Sequence, residues 1–571
     1  MTSRATNPAG RPRRHLRPVV IGAAALAGGT ALAACGSSAG TSNGAAGSPG
    51  TTLTIQGGNG GNTIQTDFNP FQVATLAATS GTDMLYLPLE GYDSLTGQYT
   101  PFLATGEDVV SARQVDFTLR SGVKWSDGKP VTTADVEFTF GLLKKFPALD
   151  TTGVGQVLQS VSASGNTLVF TLKTADSQIA PDLAQVPIVP AAAWSAVSNP
   201  VTSVNADPSV TDGPYQLENA SLVKVVYRKN PSYYGIAQMT DAPDTVTVLP
   251  QEPGAAEVLD LEKGVFDWNA DNDADRGGLA TDWVAKDPAA NHYWLPASAL
   301  VTLYLNLAKA PFNDLRFRQA LDYGINRTAV SLHANVSGYE SAVSQTGLLP
   351  SDDNLVPASV PGGGNVTYDP AKAKQILLSD GYHYSGGKLI GSNGQPVTFT
   401  LQTIQGFVDW LGEAEEIAAE LGTLGISVQV SQVQLSSGVS SIFSGEYDTA
   451  IYFSGSSPVP YANYQALLAS YLTAPVGQPA RGNYERLNSA QADGLLTQIA
   501  STTSTAAQDA AIGSLVSEVY NSVPVIELTI QPGWFEYSTK NYTGWPDAAN
   551  PYANPGAVLA HLEIIPRLRA A

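Results

Sequence analysis

Residues 115–136 read Val115-Asp116-Phe117-Thr118-Leu119-Arg120-Ser121-Gly122-Val123-Lys124-Trp125-Ser126-Asp127-Gly128-Lys129-Pro130-Val131-Thr132-Thr133-Ala134-Asp135-Val136. The run from Val115 to Leu119 is β-type, and Ser126-Asp127-Gly128 is a turn. Thr132-Thr133-Ala134-Asp135 opens a helix with a capping-box-like start, which puts Val136, Phe140 and Leu143 on its inner face. Strand, turn and capped helix form a scaffold; none of them carries chemistry. Similar β-type runs stand at 53–55, 168–172 and 397–401, interspersed with helical patterns. The clearest helix follows Trp410, Ala414, Ile417, Leu421 and Leu424, whose 4-3-4-3 spacing shares one face; Gly425 ends it and a strand follows at 426–430. A third helix is predicted from about Leu315 to Val330. The mixture of strands and helices, without a visible internal repeat, places the chain in the α/β (mixed α+β) class.

Working outward, the amino-terminal end has a different character. Arg4, Arg11, Arg13, Arg14 and Arg17 precede an apolar stretch from Val19 to Ala34, the order of a secretory signal over residues 1–34. That stretch is shorter than the roughly 20 residues that cross a bilayer as a helix. It ends in Leu32-Ala33-Ala34-Cys35 followed by Gly36, which resembles a bacterial lipobox and implies cleavage before Cys35 and lipid on its sulfur. Arg13-Arg14 matches a twin-arginine signal only loosely, leaving Sec and Tat export both open. Cys35 is the single cysteine of 571 residues, so neither a disulfide framework nor a cysteine-rich metal site is available. Residues 35–52 are nearly all Gly, Ser, Ala, Thr and Asn and read as a flexible tether spanning on the order of 20 Å. Gly36-Ser37-Ser38-Ala39-Gly40 matches the hydrolase pattern G-x-S-x-G there, but no strand precedes it and no helix follows.

The full chain carries a formal charge of −20, and loss of the five signal arginines takes it to −25. A surface so acidic repels phosphate backbones and excludes nucleic acid as a partner. About 520 residues follow the tether, more than one core normally supports, so two or three lobes are expected.

The segment 115–136 strongly resembles the signature of the oligopeptide-, dipeptide- and nickel-binding family of ABC-importer receptors. Further matches follow in the family's order: Leu89-Glu90-Gly91-Tyr92, Pro101-Phe102-Leu103-Ala104, Asp212-Gly213-Pro214-Tyr215, Asn230-Pro231-Ser232-Tyr233-Tyr234 and the stretch from Leu261 to Asp267. Leu305-Asn306, Pro311 to Leu321, Ile325-Asn326-Arg327 and Tyr368 to Lys374 complete them. The resemblance implies a two-lobed periplasmic-binding-protein-like fold with a hinge and an extra domain. Lobe I is expected at 53–85, 206–300 and 515–571, the extra domain at 86–205, and lobe II at 301–514. It implies lobe closure over a solute and delivery to an ABC permease and its ATPase complex, from a position anchored to the cell membrane by Cys35. No cofactor and no metal are implied.

The ligand is an oligopeptide-type solute by family default. In peptide-binding members an aspartate in the stretch after a late Tyr-Asp pairs with the peptide's amino terminus, whereas here Tyr447-Asp448 is followed by no acid up to Tyr461. An unpaired buried ammonium is costly, which opens the alternative of a β-linked oligosaccharide such as cellobiose. Gly406-Phe407-Val408-Asp409-Trp410 resembles a segment of the branch that binds such sugars; an indole face suits a pyranose and a carboxylate its vicinal hydroxyls. Equally, Trp410 is in phase with Ala414 and Ile417 and reads as core, with Asp409 a helix-start residue. Trp268 is a third ligand-binding candidate, set against the same core alternative. Asp271-Asn272-Asp273-Ala274-Asp275 resembles the start of a calcium loop, but Arg276 stands where glycine is required, so a solvated acidic loop is the expectation. A secreted hydrolase is the rival class; no H-E-x-x-H, P-loop or well-placed nucleophile elbow supports it.

The anchor reading has a direct test. In Cys35→Ser the chain, with its signal removed, is expected in the soluble fraction with an unchanged melting profile; full retention in washed membranes would contradict it.

Overall fold

The computed structural model describes residues 51–571 except 58–62, 73–80, 151, 206, 251–254, 270–282, 335–339, 343, 456, 458 and 558. The signal, Cys35 and nearly all of the tether lie outside the described residues, as does the acidic loop 271–275. Two large sheets organise the chain. The first is seven-stranded and joins Thr52–Gly57, Tyr215–Ser221, Lys224–Lys229, Thr245–Pro250, Trp268–Asn269, Asn291–Trp294 and Phe535–Ser538. The second is six-stranded and joins Ala297–Leu305, Glu340–Ser341, Thr398–Ile404, Ser427–Val433, Thr449–Ser454 and Val525–Pro532. A four-stranded sheet, Ala104–Ser111, Gln114–Leu119, Leu158–Ser164 and Thr167–Leu172, forms the extra domain.

Core packing divides these three units into two bodies. One continuous cluster runs from Leu53 and Val248 through Phe117, Phe140 and Phe170 to Tyr542, so the extra domain and the first sheet share a core. Separate clusters pack on the second sheet, around Leu303, Ile417 and Leu528 and around Tyr464, Leu496 and Leu515. The chain passes between the bodies twice, at Leu295-Pro296 and at Gly533-Trp534, and the Gly533 N–H donates to the Pro296 carbonyl at 2.7 Å where the two passages meet.

The deciding segment folds as read. Gly128, at φ +85°, closes the turn; the Trp125 N–H donates to the Lys129 carbonyl at 2.8 Å, and the Asp127 carboxylate accepts from the Lys129 N–H and ammonium. The helix Thr133–Lys145 starts with the expected capping box, the Asp135 carboxylate accepting from the Thr132 N–H at 2.9 Å. Other motifs prove to be staples. A side chain on Gly213 would run into the Met84 carbonyl, and the neighbouring Asp212 accepts from the Leu87 N–H, so this motif ties the entrance of the extra domain to the strand from Tyr215. Asn306 donates to the Gly445 and Tyr447 carbonyls, and Arg318 to those of Phe312, Ser522 and Val523.

Two expectations differ from the structure. The helix from Leu315 to Val330 is two helices, Leu315–Gly324 and Arg327–Ala334: Ile325 is extended, the Asn326 N–H donates to the buried Glu420, and the Asn326 side chain accepts from the Ala329 N–H to start the second helix. The boundary at 514/515 falls inside the helix Thr505–Ser522, whose Leu515, Val516 and Val519 pack on the second sheet. The strand Val525–Pro532 pairs with Ala297–Leu305 in that sheet, so the chain returns to the first body only at 533–534. A leucine- and valine-rich run reads alike on either sheet, and only the pairing partner distinguishes them.

Several carboxyls are held in these cores. Glu413 accepts from the Thr529 hydroxyl at 2.7 Å, and burial pushes its pKa up from 4.5 to about 8. Such a group is protonated in the folded chain and ionised in the unfolded chain between those values, so its contribution to stability is full below pH 4.5 and lost as pH rises towards 8. In Glu413→Gln, which keeps an acceptor for Thr529, urea unfolding at pH 5 and 8.5 is expected to show a smaller loss of stability with rising pH than the parent; equal losses would contradict the assignment. Trp125 is buried, and Trp125→Ala is expected to lower unfolding free energy by about 3–5 kcal/mol in the same assay, with a smaller loss for the surface residue Asp127→Ala. A Trp125→Ala chain of parental stability would contradict the scaffold role.

Candidate functional site

Strand direction locates the site. In the first sheet Thr52–Gly57 runs parallel to Thr245–Pro250 and to Trp268–Asn269, and Trp268–Asn269 is antiparallel to Phe535–Ser538. The carboxyl ends Gly57, Pro250 and Asn269 therefore lie towards the end where Trp294 pairs with Phe535, beside the crossing segments. In the second sheet Thr398–Ile404 is parallel to Ser427–Val433 and Thr449–Ser454, and Ser454 pairs with Leu300 near the start of its strand. Ile404, Val433 and Ser454 thus also end towards the crossing. Both sheets present the carboxyl ends of parallel strands to one place, where open α/β sheets bind ligands.

On the second body the lip is built from short connections. The Gln405 N–H donates to the Val433 carbonyl at 2.8 Å and the Gln434 side-chain amide donates to that of Gln405 at 2.5 Å, tying two strand ends together. Gly406, at φ +96°, turns the chain into the helix Val408–Thr423. Val408 and Leu435 are exposed there, Phe407 and Asp409 half-buried. After Ser454, Gly455 takes φ +61° with Leu300 beside it, and Asn463 straps the next turn, accepting from the Ser457 N–H and donating to the Ser457 carbonyl. On the first body the corresponding connections, 58–62, 251–254 and 270–282, lie outside the described residues.

The three ligand-binding candidates separate. Asp409 stands at the lip. Trp410, one residue on, is 1% exposed, with Phe407 at 4.8 Å, Phe453 at 4.7 Å and Tyr452 at 6.2 Å between ring centroids. Trp268 is likewise buried, against Phe535, Trp545 and the His561 ring. Neither indole N–H has a hydrogen-bond partner among the described residues. The structure thus draws Trp410 under Phe407, while Trp268 belongs to the first body's core. Sequence reasoning quoted Phe407 only as part of the segment 406–410 and passed over Gln405, Gln434 and Leu435; the signal available was their position a few residues after β-type runs. A cavity of about 610 Å³ adjoins the second sheet, lined by Leu300, Ile530, Ala342, Leu348, Glu340 and Asp353. Among the described residues no group of three or more His, Cys, Asp and Glu side chains is placed to hold a metal ion, and no helix is long and apolar enough to cross a membrane.

With this geometry the comparisons with known proteins agree. The family model of bacterial extracellular solute-binding proteins, family 5 (middle), matches residues 98–474, more than half of the chain. The nickel-binding periplasmic protein of Escherichia coli (strain K12) is 29% identical over 360 residues, covering 61% of this chain and 65% of the relative. The first curated relatives are matched over 57–65% of their own length. A crystal structure of a periplasmic oligopeptide-binding protein of an oligopeptide ABC transporter from Thermotoga maritima superposes with a TM-score of 0.81 at 25% identity, covering 91% of this chain and 99% of that one. The same Thermotoga protein has been crystallised with mannohexaose bound, at a TM-score of 0.73 and 25% identity over 91% of this chain and 99% of that one. The oligopeptide-binding protein AppA of Bacillus subtilis, in complex with a nonapeptide, shares the fold at 19% identity and a TM-score of 0.66, over 92% of this chain and 99% of that one. The chain belongs to family 5 of the bacterial extracellular solute-binding proteins, which are binding proteins and not enzymes.

Proposed function

We propose that this protein captures a neutral oligosaccharide between its two bodies and delivers it to an ABC permease and its ATPase complex, held to the outer face of the cell membrane by lipid on Cys35. The observation that carries the ligand class is the chemistry of the lip. From Thr449 to Tyr461 the chain has no carboxylate to pair with a peptide's ammonium group, whereas the strand ends offer the side-chain amides of Gln405 and Gln434 beside the apolar Phe407, Val408 and Leu435. Amides and a carboxylate satisfy sugar hydroxyls, and apolar or aromatic surface covers the C–H faces of the rings. Asp409 is then a ligand contact at the lip, and Trp410 supports the Phe407 ring from below. Mannohexaose in the Thermotoga maritima relative favours the same class. An oligopeptide is the second reading, favoured by the nonapeptide held by the Bacillus subtilis AppA protein.

The test is calorimetric titration of the purified mature chain with cello-, xylo- and manno-oligosaccharides and with tri- to pentapeptides. A sugar of one of these series is expected to bind one-to-one without turnover, with a Kd on the order of micromolar, equivalent to about −8 kcal/mol. Phe407→Ala should weaken that affinity roughly tenfold or more, about 1.4 kcal/mol, with little change in melting temperature. Tight binding of free-amino-terminus peptides without response to any sugar would overturn the oligosaccharide reading and leave the peptide one.

A further inference from the structure

The two bodies touch at a second place, remote in sequence from the crossing. After the strand Thr167–Leu172 of the extra domain a short loop runs to Ile179. It is fixed to its own domain by the Asp176 N–H, which donates to the Ala112 carbonyl at 2.7 Å, and by the Asp176 carboxylate, which accepts from the Gln178 N–H at 3.1 Å. Its tip, Ser177, reaches the other body. The Ser177 N–H donates to the Ala500 carbonyl at 3.0 Å and its hydroxyl to the Ile499 carbonyl at 2.9 Å, while the Gln508 side-chain amide donates to the Ser177 oxygen at 3.1 Å.

The chemistry of these partners is specific. Ile499 and Ala500 stand in the last turn of the helix Ala490–Ser501, whose terminal carbonyls have no partner further along the same helix. The Thr502 N–H reaches the Ile499 carbonyl only at 3.4 Å, and Ser177 adds to that cap from outside, with both of its donors. Gln508, near the start of the next helix, Thr505–Ser522, also donates to the Thr502 carbonyl at 2.8 Å, so it bridges the inter-helix turn and the visiting serine. Ser177 is 5% exposed although it sits at a loop tip, and the partners that bury it belong to the second body. Because the cores of the two bodies are separate, a rotation about 295–296 and 533–534 would pull Ser177 off the helix end, leaving the Ala500 carbonyl to water and the Ile499 carbonyl with only the long 3.4 Å bond from the Thr502 N–H.

We propose that the loop 173–179 is a closure latch, in which Ser177 caps the carbonyl end of the helix Ala490–Ser501 only when the lobes are shut. Closure then has a stabilising contact that does not involve the solute. A closed population exists without ligand, and a bound solute needs to supply less of the closing free energy. The inference rests on the two-body fold and stands whichever solute class is right.

The experiment uses the ligand-free mature chain in a Cys35→Ser background. Small-angle X-ray scattering of Ser177→Ala/Gln508→Ala is expected to give a larger radius of gyration than the parent, with both melting as folded proteins. Ser177→Cys/Gln508→Cys should form its disulfide readily under mild oxidation without any solute and keep the parent's compact dimensions. Identical scattering of parent and alanine variant, or a folded cysteine variant that stays reduced, would overturn the latch.

Discussion

The chain passes between its two sheets as a pair of adjacent strands, and everything functional about the molecule depends on that pairing. Trp294 lies opposite Phe535 on one side of the crossing and Ala297 opposite Pro532 on the other, with the Gly533–Pro296 hydrogen bond between them. A two-stranded connection bends along one axis far more easily than it twists or shears, because each strand restrains the other. It permits a hinge motion and little else. The same crossing directs the carboxyl ends of both sets of parallel strands towards one another, so the candidate site and the proposed axis of closure rest on one feature of topology.

Much of this was legible in the sequence, for a reason that particular residues make clear. The deciding segment around Trp125 and Asp127, and the motifs around Asp212, Asn306 and Arg318, are staples that hold backbone to backbone, and such staples demand fixed residue types at fixed spacing. They revealed the fold while saying nothing of the ligand. The helix from Trp410 to Leu424 was equally readable, because its apolar face is regular, and that regularity is also why Trp410 lies within the core beneath Phe407. The residues at the lip are set by where strands end in space. Nothing in Gln405 on one side, or in the adjacent Gln434 and Leu435 on the other, signals that two strand ends bring them together. The return of the chain through 533–534 was hidden likewise, since Val525–Pro532 reads as a buried strand whichever sheet receives it.

Buried carboxyls also tie the helices and strands of the second body together. Glu413 lies on the face of the lip helix that packs on Thr529, and Glu527, also raised to about 8 by burial, accepts from the Gly347 N–H at 2.5 Å within a network that includes Arg327 and Gln345. Held in their neutral forms, such groups fasten strands and helices by hydrogen bonds without adding carboxylate charge to the buried Arg327–Asp322 pair already in that network. The latch at Ser177 fits the same logic, since it uses a serine and an amide to cap a helix end and leaves closure free of a charged interface bond.

The most direct test of the account is diffraction from crystals of the mature chain grown with mannohexaose. The account predicts a closed molecule with sugar rings between the carboxyl ends of the parallel strands of the two sheets, Phe407 against a ring and Asp409, Gln405 or Gln434 on its hydroxyls. Sugar bound elsewhere with the cleft empty, or a peptide occupying the cleft in its place, would contradict it.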